Sequence, residues 1–79
     1  MKPKAITDPF DPRFEDWYMC DIGDMQRMFG SAAFNGNRKP ESAPHPWIFP
    51  VDGRRFWQLC WVRSWVRKVG GIEAARLER

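Results

Sequence analysis

Two short clusters carry the side chains best suited to gripping a nucleic acid: Asn35, Asn37, Arg38 and Lys39 within FNGNRKP, and Arg54 and Arg55 directly after Asp52-Gly53. Asn and Arg present donors and acceptors that match base edges in the major groove, while Lys and Arg neutralise phosphates. The first cluster is therefore a candidate for limited base reading by Asn35, Asn37 and Arg38, with Lys39 on phosphate. The second is a candidate for clamping the backbone or entering the minor groove, where contacts add salt-dependent affinity but little sequence information. Each has a plainer explanation. Asn-Gly-Asn favours a turn, and paired arginines at a hairpin tip are also an ordinary solvated surface. Phe49 and Phe56 offer a different chemistry, an exposed aromatic patch of the kind that marks a protein partner site.

Catalysis has little to work with. The single histidine, His45, lies between Pro44 and Pro46, no Ser or Cys has an activating partner nearby in sequence, and no glycine-rich phosphate loop is present. The acids between Asp8 and Asp24 read as helix caps and surface charge. Cys20 and Cys60 lack metal-ligand spacing and read as reduced apolar fillers. We therefore expect a non-enzyme with no catalytic residues, no metal, no cofactor and no small-molecule substrate.

At 79 residues with 15% aromatic and 29% charged side chains, the chain is expected to form one small domain in which each buried aromatic matters. Its formal charge is +3, unevenly spread: residues 1–30 hold six acids and four bases, and residues 31–72 hold seven bases and two acids. The hairpin half thus favours an anionic partner. No apolar run reaches membrane-spanning length and the N-terminus lacks a signal-peptide core, so a cytoplasmic protein without a membrane role is expected.

The elements that must position these groups centre on Trp47 to Val69, which holds four of the five tryptophans. Asp52-Gly53 between apolar runs predicts a two-residue hairpin loop. That loop sets Val51 opposite Arg54 and Phe49 opposite Phe56 on one face, and Pro50 opposite Arg55 and Ile48 opposite Trp57 on the other. Pro50 makes its strand an edge. From Gln58 the period becomes helical, with Leu59, Val62, Trp65, Val66 and Val69 on one flank and Gly70-Gly71 as the stop.

Upstream, Asp11-Pro12 predicts the start of a short helix laying Phe14, Trp17 and Tyr18 on the core. Asp21 and Asp24 form an acidic capping box for a helix burying Ile22, Met25, Met28 and Phe29 and ending at Gly30. Ser31 to Arg38 is expected to begin a second helix of about two turns, limited by Gly36 and Pro40. Lys39 to Pro46 is a proline-rich connector, and Ile72 to Arg79 a short terminal helix.

This order resembles the excisionase and AlpA-like family of phage and mobile-element DNA-binding proteins, within the MerR-like winged-helix group. The residues that carry it are Asp21, Asp24, Met25 and Phe29 before Gly30, then Gly53, Arg54 and Arg55, then Trp57, Val62, Trp65 and Val66. It covers about residues 20–66 of the chain. Two departures stand out: Gln26 occupies a position where members usually carry a small residue, and FNGNRKP leaves a degenerate recognition helix. The resemblance implies an α+β winged helix-turn-helix of three or four short helices plus one β-hairpin. Its expected parts are an arm and aromatic helix at 1–19, the winged core at 20–69 and a helical tail at 70–79. It implies an accessory factor in excision or transcriptional control that binds double-stranded DNA and works by docking on and bending it or by recruiting an integrase or other protein partner. The competing expectation is a small phage-encoded inhibitor or adaptor, of anti-CRISPR or host-takeover type, that grips a host protein through Phe49 and Phe56. The DNA reading requires that the hairpin arginines and the Asn-rich turn share one side of the molecule.

Overall fold

Asp21 and Asp24 open a helix as their spacing predicts. The Asp24 N–H donates to Asp21 Oδ1 at 2.9 Å and the Asp21 N–H donates to Asp24 Oδ2 at 3.2 Å, satisfying two amides that a helix start otherwise leaves unpaired. The computed structural model describes residues 5–36 and 38–77. Its elements are β1 (Met19–Cys20), α1 (Ile22–Phe29), β2 (Trp47–Ile48), β3 (Arg55–Gln58), α2 (Leu59–Val69) and α3 (Ile72–Leu77). This is an α+β arrangement whose three-stranded antiparallel sheet runs β1-β3-β2.

α1 buries Met25, Met28 and Phe29, and α2 buries Leu59, Val62, Trp65 and Val66. Between them sits an aromatic quartet. Phe29 lies 5.1 Å from Trp65, and Phe34 meets Trp57 edge-on at 5.6 Å and Trp65 at 6.1 Å. Both buried indoles also hold the connector: Trp57 Nε1 donates to the Pro44 carbonyl and Trp65 Nε1 to Ser42 Oγ, each at 2.8 Å. A buried indole N–H needs such a partner, so the same two rings fill the core and fix residues 40–46 over it. Gly70 ends α2 in the left-handed region at φ 101°.

Three local expectations are corrected. Residues 11–18 form successive turns rather than a helix. The Asp11 carboxylate takes the Arg13 N–H at 3.0 Å, and the Asp11 and Glu15 carbonyls close β-turns by accepting the Phe14 and Tyr18 N–H groups. Arg63 donates to the Pro9, Asp11 and Phe14 carbonyls at 2.6, 2.9 and 2.9 Å and to Asp16 at 2.5 Å. Arg63 thus bolts the N-terminal segment to α2, and Trp17 points to solvent at 69% exposure.

The described part of Ser31 to Arg38 is likewise a set of turns. Phe34 is drawn fully into the core, Gln26 Nε2 donates to its carbonyl at 2.9 Å, and Asn35 and Arg38 exchange backbone hydrogen bonds around Gly36. A helix here would carry Phe34 away from Trp57 and Trp65. The long Gln26, where the resembled family keeps a small residue, serves this turn.

The hairpin register also slips. Trp47 pairs with Phe56 and Ile48 with Arg55, and the Phe49 N–H donates to the Arg54 carbonyl at 2.8 Å. Residues 50–53 therefore form the loop, closed by Gly53 N–H to the Phe49 carbonyl and by Asp52 Oδ1 accepting the Arg54 N–H. Pro50 lies in this loop, at the end of an edge strand. A slip of two residues keeps each side chain on its expected face.

Candidate nucleic-acid interface

The hairpin and the turn around Gly36 lie side by side. Arg55 Nη1 donates to the Gly36 carbonyl, and a hollow of about 230 Å³ is lined by Asp21, Ile22, Gly36, Gly53, Arg54 and Arg55. Asn35 and Arg38 close the adjoining turn and are exposed. Arg54 is exposed as well; its guanidinium stands 5.2 Å over the Phe56 ring and 3.7 Å from Asp21 Oδ2. The cationic tip thus carries two carboxylates beside it, Asp21 and the loop residue Asp52, which weaken its pull on phosphate.

Lys39 is turned inward. Its ammonium donates to the Pro40 carbonyl at 3.2 Å and to that of Ala43 at 3.0 Å, which commits two of its three protons to holding the connector. Asn37 lies outside the described residues. Arg38, Lys39 and Arg76 line a second hollow of about 410 Å³ with Ala32, Ala33 and Pro40. Arg38 follows Gly36 by two residues, so the two hollows flank one turn. Arg76 was not foreseen as part of this surface because α3 meets the turn only through the tertiary fold.

The hairpin face that carries Arg54, turned away from Arg55, is aromatic. Trp47 stacks edge-on to Phe49 at 5.4 Å and lies 6.3 Å from Phe56. On the adjacent strand Met19, paired with Gln58, is partly exposed as well. Trp47, at 47% exposure, was missed as a member of this patch. Period-two alternation back from Phe49 is the signal that places it there.

Behind α1 the polar network is structural. Asp24, 5% exposed, takes the Tyr18 hydroxyl at 3.1 Å and Arg27 Nη2 at 2.5 Å in addition to its capping role. Burial, followed by the Asp24 charge, pushes the Tyr18 hydroxyl up to about 12. Burial, then the charges of Asp24 and Asp21, pushes the Cys20 thiol up to about 12. A thiol so placed is a core filler, not a nucleophile. Among the described residues no group of three His, Cys, Asp or Glu side chains could hold a metal, and no helix is long and apolar enough to cross a membrane. Comparison with protein-family models, curated proteins and solved structures finds no match.

Proposed function

We propose that the protein is an accessory DNA-binding factor of a phage or mobile element, a winged-helix relative of the excisionase type that docks on duplex DNA without chemistry of its own. The observation that carries this reading is the seat of Arg55 on the Gly36 carbonyl. It sets Arg55 beside the turn at Gly36, with Arg54 lining the same hollow, and this arrangement supports a surface on which one duplex would meet the hairpin tip and the turn. With a turn in place of a second helix, the surface suits backbone clamping and groove-edge contact more than base reading in the major groove. Arg54, Arg55 and Arg38 are the proposed phosphate contacts, and Asn35 the described group nearest to a base-reading role.

Fluorescence anisotropy on a labelled duplex, across a salt series, tests this. Binding should weaken steeply between about 50 and 200 mM salt, and Arg54→Ala/Arg55→Ala should lower both the affinity, by about tenfold or more, and the salt slope. Because Arg55 also steadies the turn, Arg54→Glu alone is the second variant. Duplex affinity unchanged in both would refute the proposal.

A second reading, a protein-binding inhibitor or adaptor, is favoured by the aromatic face. Trp47, Phe49 and Phe56, flanked by Arg54 and partly exposed Met19, have the composition of an interface centre rather than of a solvated sheet. A stable complex with a host protein, lost on Trp47→Ala or Phe49→Ala while the fold is retained, would establish it.

A further inference from the structure

The larger hollow lies apart from the hairpin tip, between the turn that follows α1 and the last turn of α3. Among the described residues its charged lining is cationic: Arg38, Lys39 and Arg76 line it, and the other described walls are Ala32, Ala33, Pro40 and Leu77. The cations are held there by different means. Lys39 is fixed by the Pro40 and Ala43 carbonyls and keeps one N–H of its three for another acceptor. Arg76 Nη1 donates to Glu73 Oε1 at 3.1 Å, and Arg38 is exposed at the end of the Asn35 bridge. Three cations converging on a concavity floored by small side chains form a place for a tetrahedral oxyanion, because the alanines let the group approach while the arginines offer forked donors.

We infer that this hollow seats a phosphate group, and that in the DNA-bound protein the group is a backbone phosphodiester reached from the hairpin across the Gly36 turn. The second half of this inference rests on the DNA reading; the first half does not. The strand would then be held at two places, at Arg54 and Arg55 on one side of the turn and at Arg38, Lys39 and Arg76 on the other.

The test uses the full chain and the double variant Arg38→Gln/Arg76→Gln, both exposed positions whose loss leaves the core intact. Amide NMR shifts are followed on titration with a short duplex and, separately, with inorganic pyrophosphate. The expected result is that duplex shifts the amides of Ala32, Ala33 and Arg76, and that the double variant binds duplex about tenfold more weakly. Its salt slope should also be smaller by about 0.9, the value for one phosphate. Duplex binding with unchanged affinity and slope in the double variant would overturn the seat, and with it the Arg38 contact, while leaving in place the hairpin clamp that Arg54→Ala/Arg55→Ala tests. If the wild-type chain binds no duplex, pyrophosphate shifts confined to the hollow and abolished in the variant would support a seat for a free phosphate compound. Absence of those shifts as well would overturn the inference.

Discussion

Asp21 does two opposing things. Its Oδ1 caps α1, while its Oδ2 lies 3.7 Å from Arg54 and offsets a charge the proposed DNA surface needs. Asn is as good an N-cap as Asp, so Asp21→Asn should leave stability within about 0.5 kcal/mol while tightening duplex binding several-fold, checked by urea denaturation and anisotropy. Tyr18 and Cys20 set the alkaline limit of the fold. Both have folded values raised to about 12 from 10 and 9 respectively, so the native state holds protons that the unfolded chain releases. Their stabilising contribution is complete below about pH 9 and is lost as pH rises towards 12. Denaturation midpoints should fall across that window, and Cys20→Ala should flatten the fall. The sequence holds no signal of the role of Arg63, because its partners lie 47 to 54 positions away, beyond the reach of any periodicity argument.

At the scale of elements, α1 and α2 could be read in advance because their signals are local. The Asp21 and Asp24 spacing, the stripe from Leu59 to Val66 and the Gly70 stop all act within a few residues. The turn holding Phe34 and strand β1 could not. Phe34 is placed by rings on α2 and β3, and Met19–Cys20 is a strand only because Gln58 and Trp57 pair with it. For the candidate site, the pairing of the basic tip with the Asn-rich turn was anticipated as a requirement. The inward turn of Lys39 and the part played by Arg76 depend on the tertiary path of the connector and α3. Phe34→Ala should therefore cost about 3–5 kcal/mol, enough to unfold much of so small a domain, as read by loss of near-ultraviolet circular dichroism. Trp47→Ala, on the outer sheet face, should cost under about 1 kcal/mol in the same measurement.

For the whole molecule, one core cluster draws in Ile6 near one end and Ala75 near the other, and Arg63 is the clasp that holds the N-terminal segment against it. Its side chain is 12% exposed, and its loss would strand the Pro9 and Phe14 carbonyls, while that of Asp11 would keep the Phe14 N–H. Arg63→Ala should cost about 2–3 kcal/mol and speed hydrogen exchange at Leu59 and Cys60, whose amides donate to the Tyr18 and Asp16 carbonyls of the same segment. The division of the indoles has an optical consequence. Trp57 and Trp65 are shut away and hydrogen-bonded, while Trp17, Trp47 and Trp61 meet water. Intrinsic emission should split into a blue, iodide-resistant fraction that monitors folding and a red, quenchable fraction that monitors the surface. With Trp17 and Trp61 replaced by Phe, the red fraction would belong to Trp47 alone, turning the sheet face into its own unlabelled sensor of whatever settles on it.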